Sequence, residues 1–152
     1  MTRMGQLRHV FSSKLSVSLK LRIYICSLFT YGSEAWTLDE RTRATLNGAN
    51  ARCLSRITGR TIHEEASARS RTFDLVAAIR RTRMRWLGHI LRMDEDRLIK
   101  KTVRHICDYH RDGDILMDAP AAESWEALVE SAQNREEWRA RVRALKTSPT
   151  KK

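Results

Sequence analysis

Cysteine is scarce in this sequence, and the three cysteines that it has do not form the pattern of a disulfide framework. They lie at positions 26, 53 and 107, an odd number with wide spacing. Small secreted domains are instead held together by several closely spaced pairs, so this pattern favours an intracellular, reducing compartment, nucleus or cytoplasm, over secretion. Cys26 and Cys53 fall among apolar residues and are predicted to pack in the core as small hydrophobic groups.

Acidic side chains are absent from the first 33 residues, which carry five basic ones. Taken alone, this composition is typical of a mitochondrial presequence, or of a signal peptide with residues 23–29 as its apolar region. That apolar stretch is interrupted by Ser27 and is far shorter than the roughly 20 residues that a membrane-spanning helix needs. We therefore expect no membrane association, while an organelle-targeting role stays open as the alternative.

Positive charge is concentrated in the first part of the chain. Through Arg111 there are 22 Lys and Arg against 10 Asp and Glu, whereas the residues after it hold 7 against 8. A basic body of this kind is typical of proteins that bind phosphate backbones, because each neutralised phosphate releases a counterion. A solvated basic surface without a ligand is the alternative. With 41% hydrophobic residues, the 152-residue chain can also bury a modest core.

Hydrophobic periodicity predicts a mostly helical chain. Apolar side chains recur near a 3.6-residue period over residues 15–29, and this helix is predicted to end at Gly32. A second helix is predicted to begin at a capping box formed by Thr37 and Glu40 and to stop at Gly59.

The helix predicted over residues 74–93 is the longest and the best patterned. Its apolar face carries Leu75, Val76, Ile79, Trp86, Leu87 and Ile90. Arg83 falls within that face, so its charge must find a partner or extend to solvent, and Glu34 is a candidate partner. Gly88 costs about 1 kcal/mol relative to alanine inside a helix. Its predicted role is therefore to allow the close approach of another backbone.

The end of the sequence predicts a helical hairpin. Ser124 is predicted to cap a helix that buries Trp125, and Asn134 to start another whose apolar stripe includes Trp138. The two tryptophans are predicted to share a small core, with a stacking platform for nucleic-acid bases as the alternative. Residues 98–109, which precede this region, are predicted to form a helix or a strand.

Several short motifs follow one another in an order that suggests ancestry. Tyr31 to Trp36 reads Tyr-Gly-Ser-Glu-Ala-Trp, 52–54 reads Arg-Cys-Leu, and Trp86 to Met93 reads Trp-Leu-Gly-His-Ile-Leu-Arg-Met. With the segments 113–120 and 138–142 further on, they resemble the region downstream of the polymerase palm in the reverse transcriptases of non-LTR (LINE-like) retrotransposons. The resemblance covers roughly residues 14–146.

This resemblance implies a part of the enzyme that does no chemistry. The family's polymerase holds two divalent metal ions on palm aspartates, including an adjacent Asp-Asp pair, and this sequence contains no such pair. Asp94 and Asp96 are separated by Glu95 and follow a basic helix. We therefore expect the chain to begin after the palm, to be no enzyme by itself, and to need no cofactor. Its partners in the parent element would be the missing palm and fingers.

Two sets of arginines are the candidate contacts to nucleic acid. One set is predicted to face away from the apolar side of the 74–93 helix and comprises Arg81, Arg85 and Arg92. The other forms a stripe on the preceding helix and comprises Arg41, Arg52 and Arg56. Each set falls along one side of an ideal helix, which is the arrangement that a phosphate-facing ridge needs. For the second set, an ordinary solvent-exposed face is the alternative.

Histidines and one cysteine raise the question of a chemical site. His89 has no nucleophile or carboxylate at a spacing that would complete a triad, so a structural histidine that hydrogen-bonds a neighbouring loop is favoured over a general base. His105, Cys107 and His110 have metal-ligand chemistry. Zinc, however, usually takes four ligands as two short-spaced pairs, and the second pair is absent. No metal site is predicted.

The sequence thus predicts an all-α fold with a thumb-like domain. A basic extension spans 1–13, the basic helical domain 14–111, an acidic helical tail 112–146 and a disordered basic end 147–152. The predicted structural core includes Trp36, Trp86, Leu87, Gly88, Ile90 and Trp138. The predicted function is to grip template RNA or an RNA–DNA hybrid by its backbone. The alternatives are a degenerate retroelement remnant with a scaffold role only, and a basic adaptor that binds acidic protein surfaces.

Overall fold

The computed structural model describes residues 12–21, 23, 29–36, 38–61, 63–64, 73–109 and 124–145. Within these ranges the regular structure is helical and contains no strand, which confirms the predicted all-α fold and assigns 98–109 as a helix. The α-helices are α1 (Val17–Leu21), α2 (Glu40–Thr58), α3 (Leu75–Leu91), α4 (Leu98–Tyr109), α5 (Trp125–Gln133) and α6 (Arg135–Ala144), and a 3₁₀ turn covers Ser33–Ala35. None of the described helices is both long and apolar enough to cross a membrane.

Helix α2 begins later than the sequence predicted. Its N-cap is Asp39, whose carboxylate accepts a hydrogen bond of 2.6 Å from the backbone N–H of Thr42. Glu40 is the first helical residue, so it cannot close a capping box with Thr37, which itself lies outside the described residues. The predicted stop is confirmed, because Gly59 adopts a left-handed conformation with φ of 76°.

Helix α3 is closed at both ends by side chains. The Asp74 carboxylate accepts a hydrogen bond from the N–H of Ala77 at 2.9 Å. At the other end the Lys100 ammonium, only 3% exposed, donates to the Met93 carbonyl at 2.7 Å and pairs with Glu95 at 2.6 Å. The N–H of Ala77 is one of the donors that a helix N-terminus leaves without a partner inside the helix, and the contacts of Lys100 fix the turn that leads into α4.

The chain divides into two compact units, and the division falls within α3. The first unit comprises Met1–Gly32 and Leu38–Ala78, and the second comprises Ser33–Thr37 and Ile79–Lys152. In the first, α1 packs on α2, and the buried Asn50 side chain donates to the Phe73 carbonyl at 3.0 Å. The buried residues of α2 are Leu46, Asn50, Ala51, Cys53, Leu54 and Ile57.

The second unit is built around one core to which α3, α4, α5 and α6 all contribute. Its buried members include Leu87, Ile90, Val103, Trp125, Leu128 and Trp138. The predicted caps of the hairpin are confirmed, because Ser124 starts α5 and Asn134 starts α6. The two tryptophans do share a core, but it extends onto α3 instead of staying within the hairpin. The predicted domain boundary between residues 111 and 112 lies outside the described residues.

Candidate nucleic-acid interface

Helix α6 is held against α3 by the indole of Trp138. This side chain is 3% exposed, and its Nε1–H donates to the carbonyl of Met84 at 3.0 Å. The indole lies directly over Gly88, where a Cβ atom would overlap the ring. Gly88 therefore permits a close approach, as predicted, but the approaching group is a tryptophan side chain and not a backbone. The pair Gly88 and Trp138 sets how near the two helices can come.

Two arginines of the first predicted set bind the hairpin instead of facing away from it. Arg81 Nη2 donates to the Leu145 carbonyl at the end of α6, at 3.0 Å. Arg92 Nη1 donates to the Ala132 carbonyl in the last turn of α5, also at 3.0 Å. Carbonyls at helix C-termini carry partial negative charge, so the two guanidiniums stabilise the C-terminal ends of α5 and α6. Arg81 and Arg92 are therefore held by the hairpin, whereas Arg85 of the same set is exposed.

A cleft opens between α3 and α6 within the second unit. We call it the arginine cleft. Its cationic lining consists of Arg85, Arg92, Arg135, Arg139 and Arg143. The remaining lining consists of His89, Met93, Trp138 and Val142. Its volume is about 580 Å³, and none of the described residues that line it carries a carboxylate. Trp138 and Val142 are buried and form the floor, while the exposed arginines stand at the rim.

Regular helix spacing produces this concentration of charge. On α6, Arg135, Arg139 and Arg143 recur every four residues, beside the buried Trp138 and Val142 that anchor the helix. Residues four apart lie on one side of a helix. Once Trp138 is seated on Gly88, that side of α6 comes to lie along the side of α3 that carries Arg85.

The exposed arginines of the arginine cleft form no ion pair with the acidic residues that the structure describes. They are Arg85, Arg135, Arg139 and Arg143. Burial, followed by the nearby charges of Arg135 and Arg139, lowers the pKa of the Arg92 guanidinium below its usual value. Like charges that repel one another in a concave site are the electrostatic condition for binding an anion.

The second predicted set lies on the first unit. Solvent exposure is the observation that keeps it a candidate contact to nucleic acid. Arg41, Arg52 and Arg56 are all exposed on α2. Arg52 and Arg56 are one turn apart, whereas Arg41 lies in the first turn of the helix. None of the three lines the arginine cleft. Their part in nucleic-acid binding remains a prediction.

The remaining predicted core residues are buried to different degrees. Leu87 and Ile90 are fully buried, as predicted, and so is Arg83, at 2% exposed, within the same helix. Trp86 packs against the core but is only half-buried, and Trp36 is likewise half-buried. Trp138, not Trp86, is therefore the principal aromatic anchor of the second unit.

The histidines and cysteines do not converge on a metal in the described part of the chain. No three His, Cys, Asp or Glu side chains among the described residues come together closely enough to hold an ion, and His110 lies outside those residues. Cys53 is fully buried in α2, as predicted, and Cys26 also lies outside the described residues. His89 is exposed at the arginine cleft. A single imidazole beside several cations is placed to contact an anion.

The Cys107 thiol is predicted to be inert in the folded protein. Burial, with a smaller contribution from Asp108, raises the pKa of Cys107 from its ordinary value of 9.0 to about 11. The folded state thus favours the neutral thiol, and this stabilisation is present below pH 9 and is lost as pH rises towards 11. At pH 8 we expect alkylation by iodoacetamide to be on the order of 100-fold slower than in urea, since about two pH units separate the pKa values of the two states. Peptide mass spectrometry measures this at Cys107 specifically. Equal rates in both states would show that the thiol is accessible and α4 misplaced.

Sequence reasoning missed Arg135, Arg139 and Arg143 as site residues. Their signal was present as a four-residue repeat of arginine that flanks Trp138 and Val142. This repeat was overlooked because the tail as a whole is slightly acidic. The net charge of a segment does not show which face of its helix carries the positive side chains. The sequence alone does not show which charged residues of a short helix lie beside a cleft. That depends on how the apolar stripe of the helix is oriented against the helix on which it packs.

Comparison of the chain with protein-family models, with curated proteins and with solved structures finds no match. The likeness to non-LTR reverse transcriptases therefore rests on the motifs of the sequence. The function has to be argued from the geometry and charge of the second unit.

Proposed function

We propose that this chain is a non-catalytic nucleic-acid-binding part of a non-LTR retrotransposon reverse transcriptase, and that it grips template RNA or an RNA–DNA hybrid as a thumb does. The arginine cleft is the observation that carries the proposal. Five guanidiniums line it, and no carboxylate does so among the residues that the structure describes. Arginine presents its donors in a planar fork that matches the oxygens of a phosphate, so this lining suits a sugar-phosphate backbone.

Binding of this kind is independent of nucleic-acid sequence. Trp138 is buried and its N–H is bound to the Met84 carbonyl, so its ring offers no free face for stacking a base. The guanidiniums donate to phosphate oxygens, which are the same in every nucleotide and so carry no sequence information. The cleft thus positions a strand through its phosphates and supplies no chemistry.

Removal of the rim arginines should weaken binding to all sequences by a similar factor. We expect Arg85→Ala/Arg139→Ala/Arg143→Ala to reduce the affinity for an RNA–DNA hybrid at least tenfold at low salt. The slope of log K against log salt should also fall in magnitude, by nearly one for each phosphate that is no longer neutralised on duplex DNA and by somewhat less on single strands. Fluorescence anisotropy over a salt series, on two duplexes of unrelated sequence, measures both quantities.

A matched control is available on the same unit. Arg97, Lys101 and Arg104 lie at or on α4, are exposed, and do not line the cleft. Their replacement by alanine removes the same charge and at most weak, solvent-screened ion pairs with Asp96, Asp108 and Glu126. Equal losses of affinity from both triples would mean that net charge alone attracts nucleic acid. Failure of the intact protein to bind at low salt would favour the scaffold alternative.

The predicted arginine stripe on α2 can be compared with the arginine cleft in the same assay. A third triple, Arg41→Ala/Arg52→Ala/Arg56→Ala, tests the stripe on α2. A loss of affinity confined to this triple would place the interface on the first unit and would contradict the assignment to the arginine cleft. Circular dichroism of every variant shows whether helical content is unchanged, so that weaker binding is not mistaken for unfolding.

A further inference from the structure

The arginine cleft is a concavity that is half open to solvent, so a group that projects from a strand can enter it as well as lie across it. Its volume of about 580 Å³ falls within the range of about 300–1,000 Å³ that is usual for sites that enclose a small molecule. Packed helices have axes only about 8–10 Å apart, so the backbone of a duplex can contact the exposed arginines but the duplex cannot enter between α3 and α6. A strand end is narrow enough to enter, with its phosphate leading.

Charge in the cleft exceeds what one internal phosphate would balance. An internal phosphodiester carries one negative charge, whereas a terminal phosphate monoester carries about −1.5 to −2 at pH 7 and has three terminal oxygens. Arg92 already uses one nitrogen on the Ala132 carbonyl, which fixes its guanidinium beside those of Arg135 and Arg139. A dianionic group relieves the repulsion among these cations more fully than a monoanionic one.

The rest of the lining selects for phosphate and against other parts of a nucleotide. Met93 and Val142 are apolar, and within the described part of the chain no side-chain amide or carboxylate lines the cleft to accept a hydrogen bond from a base. His89 is exposed at the cleft and adds a nitrogen that can donate to a phosphate oxygen. The chemistry that fits is a phosphate group held by several guanidiniums, with its attached sugar near the apolar residues.

We infer that the arginine cleft binds the terminal phosphate monoester of a nucleic-acid strand, and holds it more tightly than an internal phosphodiester. This inference rests on the proposed function, since it names the group of the nucleic acid that enters the site. It adds that the second unit recognises the 5′ or the 3′ end of a strand when that end carries a phosphate.

The test compares labelled 12-nucleotide single strands of one sequence that end in a 5′-phosphate, in a 3′-phosphate, or in hydroxyl groups at both ends. We expect at least tenfold tighter binding of one phosphorylated strand at constant salt, and the two phosphorylated arms identify which end is bound. Unphosphorylated 13- and 14-nucleotide strands are the charge control, because each added nucleotide contributes one internal phosphate. If they gain as much affinity as the phosphorylated 12-nucleotide strand, the inference is overturned.

Variants connect the effect to the cleft. Arg139→Gln/Arg143→Gln should remove the preference for the phosphorylated end, so that phosphorylated and hydroxyl-ended strands bind within about twofold. The control Arg97→Gln/Lys101→Gln should retain the preference. If all strands bind alike and the cleft variants weaken each of them equally, backbone binding stands and recognition of the end fails. If no strand binds, the proposed function itself fails.

Discussion

Trp138→Ala should destabilise the protein more than truncation of any other aromatic side chain of α3 or the hairpin. The indole is 3% exposed, and its truncation removes both its packing in the core of the second unit and its hydrogen bond to the Met84 carbonyl. Truncation of a buried tryptophan costs about 3–5 kcal/mol. For a chain of this size that loss corresponds to a fall in the thermal midpoint of about 10 °C or more. Thermal and urea unfolding followed by circular dichroism measure it.

Trp86→Ala provides the matched comparison on α3. Trp86 has the same side chain and packs against the same core but is only half-buried, so we expect a smaller loss of stability than at Trp138. A larger loss at Trp86 would contradict the assignment of Trp138 as the anchor. Trp138→Phe retains most of the buried area but not the N–H donor, and it separates the packing contribution from the hydrogen bond to Met84.

Gly88→Ala should also destabilise the protein, although alanine is the better helix former. Helix propensity favours alanine by about 1 kcal/mol. The added Cβ overlaps the Trp138 indole, and neither the backbone of α3 nor the buried ring can move without disturbing the core around it. Overpacking usually costs about 1–3 kcal/mol. Displacement of the indole adds part of the loss of stability that we expect for Trp138→Ala. We expect the free energy of unfolding to fall by at least about 2 kcal/mol, measured by urea denaturation.

Gly48→Ala is the control that isolates the overlap from propensity. Gly48 lies within α2, and a Cβ there meets only the tip of the Arg52 side chain at 3.6 Å, an ordinary contact distance. Alanine should therefore stabilise the protein by about 0.5–1 kcal/mol at this position. The two substitutions are chemically identical and have opposite expected signs. Stabilisation at both positions would mean that Trp138 does not lie over Gly88.

Local features of the chain were predictable because their causes are local. The left-handed Gly59 ends α2, and Ser124 and Asn134 cap α5 and α6, as the sequence indicated. The apolar period likewise placed Leu87 and Ile90 in the core. Capping depends on residues within one turn, and amphipathic burial depends on a repeat within one helix. The start of α2 was placed wrongly because both Thr37 and Asp39 are residues that favour an N-cap, and only the helix as folded selects between them.

The assignment of the arginines required the tertiary structure. The sequence identified Arg81, Arg85 and Arg92 as one stripe, and it placed that stripe opposite the apolar face of α3. It did not show that the hairpin formed by α5 and α6, distant along the chain, covers the same side, so that Arg81 and Arg92 bind helix C-termini while Arg85 remains at a cleft. The arginines of α6 complete that cleft for the same reason.

The sequence alone determined that the described part of the chain is helical, that the first 111 residues are basic, and which apolar stripes are buried. Periodicity and charge are properties of single segments, so they can be read one segment at a time. Only the tertiary structure decided which cations face one another, because that depends on which two helices meet and how closely. At α3 and α6 the absent side chain of Gly88 and the indole of Trp138 set that distance, and the arginine cleft follows from it.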